Sequence, residues 1–255
     1  MPGKVNRGWK VWILAGLLVL VLTGSVRAES VSVQVTPDVI EISSFYQGAE
    51  IALTGSIPAG YQAVAEVTGP ARQERLMRKG RRGPLWMNVG ELTVSGAPSL
   101  YLVSSSEAGL LTGDSPWGLK ALAQRLTLGG QVEDREKAKF TEQFLELKQS
   151  ESLYGAWPGG LQTSPAEDGR VKVTGKFWLP ANVKPDTYKV CLIAVQEGKA
   201  AGRQCADLPI KMVGFPALLM TLAFEHAALY GILAVVIAIV TGFIMGYLFK
   251  GGGGH

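Results

Sequence analysis

The chain has 255 residues, of which 47% are hydrophobic and 18% are charged, and its formal net charge is +4. Its two histidines are too few for a histidine-rich metal site, although a carboxylate site stays open. The pI of about 9.0 reflects one basic cluster and a cationic N-terminus, so it does not indicate nucleic-acid binding.

The first 28 residues predict a secretory signal peptide. Three cations within residues 4–10 precede an apolar run at 11–22, and small residues then lead to a predicted cleavage after Ala28. The apolar run is shorter than the roughly 20 residues that a membrane-spanning helix needs. The alternative is an uncleaved signal anchor, which would give the chain two spans.

Residues 29–213 predict an exported β domain. Short runs with period-two alternation recur between Gly, Pro, Asn and Asp residues, a pattern typical of an antiparallel Ig-like β-sandwich. The predicted strands lie at 31–35, 39–42, 49–53, 61–67, 85–89, 100–104, 171–179, 188–196 and 203–212. A helical insertion is predicted at about 116–150, where Phe140, Phe144 and Leu147 share one helix face that we expect to pack on the sheet.

A basic cluster is the most distinctive polar feature of the predicted domain. Six cations lie between residues 72 and 82, opposed only by Glu74. The cluster predicts a projecting turn at 79–83, and its candidate anion-binding or partner-binding residues are Arg78, Lys79, Arg81 and Arg82. The alternative is a solvated hairpin tip whose charges keep a sheet edge soluble. Trp86, which follows the cluster, is predicted to be a core residue.

The two cysteines predict a structural disulfide. Cys191 and Cys205 flank a turn-like stretch at 197–202 between two predicted strands, and Gly198 is their midpoint, so a simple hairpin places them opposite each other. Outside the cytoplasm, such a cross-strand bond closes a short loop and contributes about 2–3 kcal/mol. The spacing fits neither a CxxC redox pair nor a zinc set.

The C-terminal part predicts a membrane anchor. Residues 214–226 predict an interfacial segment, 227–249 a charge-free transmembrane helix, and 250–255 a short cytoplasmic tail. Small residues recur every four positions along the helix, a spacing that lets a second helix approach closely. The candidate packing residues are Ala234, Ala238, Gly242 and Gly246. With a cleaved signal, the β domain lies outside and Lys250 lies inside, as the positive-inside rule prefers.

Several stretches of the chain resemble a known family. They lie at residues 77–81, 85–88, 98–101, 179–183, 186–188 and 229–231. On these residues the chain resembles the transmembrane protein family of alphaproteobacterial type, which has no known function and is sometimes encoded beside sulfite-exporter-type permeases. The resemblance implies the architecture and the topology but no activity. The paired cysteines are not part of the family pattern.

The sequence favours a non-enzymatic accessory or interaction protein. GxGxxG, P-loop and HExxH patterns are absent from the sequence, and we expect neither catalysis nor a cofactor. The expected location is the bacterial inner membrane, as a single-pass protein with its main domain in the periplasm. The expected partners are the bilayer and either a membrane protein or a second copy bound through the helix. The alternatives are a periplasmic module that binds sulfur oxyanions for a permease, and a purely structural envelope protein.

Overall fold

The computed structural model describes residues 31–113, 115–130 and 134–249, except for the side chains of Arg78 and Asp134. The predicted signal peptide, Lys250 and the tail lie outside these residues. The strands are β1 (Ser32–Thr36), β2 (Ile40–Ile42), β3 (Ala49–Pro58), β4 (Gln62–Thr68), β5 (Ala71–Arg82), β6 (Leu85–Pro98), β7 (Tyr101–Ser105), β8 (Thr127–Gly130), β9 (Tyr154–Trp157), β10 (Gln162–Thr163), β11 (Arg170–Leu179), β12 (Asp186–Gln196) and β13 (Lys199–Met212). The helices are α1 (Leu119–Arg125), α2 (Asp134–Ser150), α3 (Gly214–Phe224) and α4 (Ala227–Phe249), with a short 3-10 helix at Ala108–Leu111.

The described strands form three sheets. A four-stranded sheet has the order β1-β3-β11-β10, a six-stranded sheet has the order β2-β13-β12-β4-β7-β9, and a small sheet has the order β5-β6-β8. Neighbouring strands are antiparallel except for the pairs β13–β2 and β7–β9. The predicted mainly β class with antiparallel sheets is therefore confirmed, and the arrangement is compatible with an Ig-like sandwich.

One hydrophobic core joins the two larger sheets. Alternate residues of β3, such as Ile51 and Leu53, are fully buried, as the period-two pattern requires. β12 is buried along most of its length because it lies in the middle of the six-stranded sheet. At Gly55 the sheets come so close that an added Cβ would lie 2.5 Å from Cδ2 of Leu192. Glycine in β3 therefore permits this close packing.

The segment that contains α1 and α2 packs against one edge of the six-stranded sheet. Phe144 of α2 is 1% exposed, and its ring meets that of Tyr154 in β9 edge to face, with 6.1 Å between centroids. Tyr154 in turn meets Tyr101 of β7 in the same way at 6.3 Å. The chain between α1 and α2 contributes β8, which pairs with β6. This segment therefore joins the sandwich to the small sheet.

Candidate functional site

A long hairpin extends from the centre of the six-stranded sheet. The ladder between β4 and β7 continues into the ladder between β5 and β6, since the Gly69 N–H donates to the Leu100 carbonyl at 2.9 Å and the Ser99 N–H donates to the Pro70 carbonyl at 2.9 Å. We call residues 71–98 the arm. The arm turns at Gly83-Pro84, at the end of the predicted turn at 79–83, so all six cations of the basic cluster lie on strand β5.

Two ion pairs hold the base of the arm. The Arg72 guanidinium donates to Asp186 at 2.8 Å, and Nζ of Lys148 lies 3.5 Å from Oε1 of Glu74. The backbone N–H of Thr187 and the Arg72 guanidinium hold the pKa of the Asp186 carboxyl below its usual value. Lys148 is 8% exposed, so its ammonium group joins α2 to β5 in a contact that is shielded from water on the side of the lysine.

The middle of the arm and α2 enclose a groove of about 640 Å³. Leu76 and Leu92 are direct cross-strand partners and form its wall on the arm. The wall on α2 carries the apolar face predicted from the sequence, Phe140, Phe144 and Leu147. Phe144 is buried, but Leu147 is 42% exposed, so this face only partly packs on the sheet. Lys79, Lys139 and Glu136 add charged groups to the lining.

The tip of the arm, residues 81–87, carries exposed apolar side chains on its β6 strand. Leu85, Trp86 and Met87 are 64%, 72% and 45% exposed. The prediction that Trp86 is a core residue is therefore wrong. Trp86 lies one residue from the end of a hairpin that extends past the sandwich, where no second sheet covers it.

The predicted basic residues take different positions on the arm. The backbone of Arg78 pairs with that of Gly90, and the side chain of Arg78 lies outside the described part of the structure. Arg81 and Arg82 pair with Trp86 and Leu85. Nε of Arg81 donates to the Gly83 carbonyl at 3.0 Å, which braces the turn. Among the residues that the structure describes, the ion pairs on the arm use Arg72, Glu74, Arg75 and Glu91. They leave Lys79, Arg81 and Arg82 exposed.

The second candidate site is the C-terminal helix α4. It has 23 residues and a mean hydropathy of 2.6 over its most apolar window, none of which is buried inside the protein. Ala234, Ala238, Gly242 and Gly246 fall on one face, because residues four apart are neighbours on a helix. A Cβ added at Gly242 or at Gly246 would meet no heavy atom within 4 Å. None of the residues that the structure describes therefore covers this face.

The predicted disulfide is confirmed. Cys191 and Cys205 are direct cross-strand partners on β12 and β13, with 4.0 Å between their Cα atoms. Beside them, Glu66 is a buried carboxylate that accepts a hydrogen bond from the Tyr101 hydroxyl at 3.1 Å, and it lies 3.6 Å from the Arg203 guanidinium. Burial and the Glu66 charge raise the pKa of the Tyr101 hydroxyl. These partners satisfy Glu66, which indicates a structural role.

The described residues offer little for catalysis. Within residues 31–113, 115–130 and 134–249, no group of three or more His, Cys, Asp and Glu side chains could hold a metal ion. His226 lies exposed at the junction of α3 and α4, and His255 lies outside the described residues. The arrangement can instead bind through charge and apolar contact, at the arm and along α4.

Within the described part of the chain, a β-rich domain is followed by one exposed apolar helix that is long enough to cross a bilayer, which indicates a membrane protein with a candidate C-terminal span. Over residues 30–251 the chain matches the family model described as "Putative transmembrane protein (Alph_Pro_TM)", and the chain therefore belongs to that family. The predicted resemblance is thus confirmed, and the family indicates no catalytic class. No curated protein and no solved structure matches the chain.

Proposed function

We propose that the protein is a non-enzymatic accessory subunit that binds a membrane protein or a second copy of itself through α4. An N-terminal signal exports the β domain, which lies in the periplasm above the inner membrane. The observation that carries this proposal is the uncovered small-residue face of α4. Helices in lipid associate by close packing, and faces of Gly and Ala permit the closest approach.

Enlarging that face should release the partner. Replacing Gly242 and Gly246 by Leu puts two large side chains where a partner helix would contact the backbone. We expect recovery of the crosslinked partner or dimer from native membranes to fall about tenfold, which corresponds to about 1.4 kcal/mol. The measurement is crosslinking in native membranes, followed by purification and mass spectrometry.

A matched control comes from the opposite face of the same helix. Val240 and Ile244 lie two residues from the glycines, on the far side of the helix, so Val240→Leu with Ile244→Leu changes the lipid-facing surface. This variant should keep full recovery. Unchanged recovery in the Gly242→Leu and Gly246→Leu variant would reject the proposal.

The exposed cations of the arm favour a second candidate function, a binding module for sulfur oxyanions that serves a permease. Lys79 lines the groove, and Arg81 and Arg82 lie at the tip beside it. Three cations that make no ion pair among the described residues create a positive field that attracts small anions.

Titration of the full chain in detergent tests this second function. Sulfate, sulfite and thiosulfate should bind the wild type. They should bind at least about tenfold more weakly when Arg78, Lys79, Arg81 and Arg82 are changed to Gln, because each charged contact adds to the free energy of anion binding. Isothermal calorimetry measures the difference. A variant with Lys172→Gln and Lys189→Gln on the sandwich is the control, and equal binding by all three proteins would exclude the module.

A further inference from the structure

The tip of the arm has apolar side chains on both faces of the ribbon. Residues directly paired across an antiparallel ladder share a face. Trp86 therefore shares one face with Arg81, and Leu85 shares the other with Arg82. Met87 pairs with Gly80, so it lies on the same face as Leu85. A flat protein partner would cover one face only, whereas a medium that surrounds the tip covers both.

The base of the arm lies at the end of the sandwich from which the membrane anchor leaves. Arg72 binds Asp186, the first residue of β12, and Asp186 pairs with Ile210 near the end of β13. β13 ends at Met212, and α3 begins at Gly214 and leads to α4. The arm and the anchor therefore leave the six-stranded sheet from the same end.

The lengths of the two segments allow the tip to reach the bilayer. α3 has 11 residues and is about 16 Å long, and with the three residues that flank it the connection between the sandwich and α4 spans at most about 27 Å. The strand from Arg72 to Arg82 extends about 33 Å at the usual rise per residue. The arm is thus about twice as long as α3 and, after some loss of reach at its two bulges, about as long as the fully extended connection between the sandwich and the span.

From these observations we propose that the tip of the arm docks on the surface of the bilayer that α4 spans. Leu85, Trp86 and Met87 enter the interface, where tryptophan is favoured. Lys79, Arg81 and Arg82 contact anionic headgroups, each contributing about fivefold to the docked population. The anchor holds the tip at a high effective concentration near the lipid, so weak contacts suffice. Docking gives the β domain a second attachment and a fixed orientation, with or without a partner on α4.

Quenching of Trp86 by lipid-borne bromine tests the proposal. The full chain is reconstituted into vesicles of phosphatidylcholine with or without one-third phosphatidylglycerol, with bromine on the acyl chains of both leaflets. The fluorescence of Trp86 is obtained as the difference in tryptophan emission between the wild type and Trp86→Phe. Trp157→Phe provides the matched control, because Trp157 pairs with Ser104 near the far end of β7 and is 45% exposed.

We expect bromine to quench Trp86 in the anionic vesicles and to leave Trp157 unquenched. Arg81→Gln with Arg82→Gln should lower the docked-to-undocked ratio roughly 25-fold, from about fivefold for each charge. Both side chains are exposed, so this double variant should retain the near-ultraviolet circular dichroism of the wild type, a spectrum that also shows whether the turn survives the loss of the Arg81 bond to Gly83.

Three results would overturn the proposal. The tip is free if aqueous acrylamide quenches Trp86 while bromine does not. The tip binds protein if Trp86 is shielded from both quenchers, and a second copy is then the first partner to test. Equal bromine quenching in neutral and anionic vesicles would overturn the role of the headgroup charge.

Discussion

Replacing Phe144 by Ala is expected to lower the free energy of unfolding of the β domain by about 3–5 kcal/mol, the usual cost of deleting a buried phenylalanine. Phe144 is 1% exposed and attaches α2 to the sandwich through its edge-to-face contact with Tyr154. The ammonium of Lys148 lies 5.6 Å from the centre of its ring, so the change also removes a cation–π contact. The cavity would open between α2 and β9.

Urea unfolding of the full chain in detergent micelles, followed by near-ultraviolet circular dichroism, measures this effect. Phe140→Ala is the matched control, because Phe140 lies one turn earlier on the same face of α2 but is only half-buried. Phe140→Ala should lower the free energy of unfolding by much less than Phe144→Ala does. Equal losses in the two variants would show that α2 is not attached through Phe144. Amide exchange of α2 should also accelerate in Phe144→Ala alone.

The sequence predicts the longer sandwich strands but only a short part of the arm, residues 85–89 of β6. Strands such as 171–179 alternate apolar and polar residues because one face meets the core. β5 alternates little, because its outer half leaves the sandwich and both faces meet water. Its charges therefore indicated a turn. The same circumstance explains the error at Trp86, since an aromatic residue is buried only where a second layer covers it.

The cysteine pair shows how a correct prediction can depend on a detail that the sequence does not reveal. The turn at Glu197 and Gly198 pairs Gln196 with Lys199, and an unbroken ladder from there would place Cys191 opposite Gln204. A bulge beyond Val195 shifts the register by one residue and brings Cys205 opposite Cys191. Both turn residues have positive φ, as a two-residue hairpin turn requires.

The candidate sites differ in how far they could be predicted. The small-residue face of α4 follows from helical geometry alone, so the sequence is enough to predict it. The groove requires the docking of α2 beside the arm, a contact between segments far apart in the chain. Lys148 with Glu74 joins α2 to the arm, and Phe144 with Tyr154 joins α2 to the neighbouring strand β9. None of these residues forms a recognisable motif.

Removing the disulfide is expected to lower the free energy of unfolding of the β domain by about 3 kcal/mol, as a loop of this length predicts from the entropy of the unfolded chain. The two cysteines are 14 residues apart. The bond joins β12, in the middle of the six-stranded sheet, to β13, which leads directly into α3 and α4. Cys191→Ala with Cys205→Ala would therefore weaken the strand through which the domain is attached to its anchor.

The reduced wild type supplies the matched comparison for this variant. A reductant should lower the urea midpoint of the wild type to that of the double alanine variant and should not change the variant itself. Glu66 and Arg203 lie beside the bond and do not need it for their pairing, and the reduced wild type also keeps Sγ of Cys191 beside Arg203. The comparison of oxidised with reduced wild type therefore isolates the covalent link. If oxidised wild type and variant unfold at the same midpoint, the hairpin is held by its ladder alone. The disulfide would then contribute nothing to the attachment of the domain.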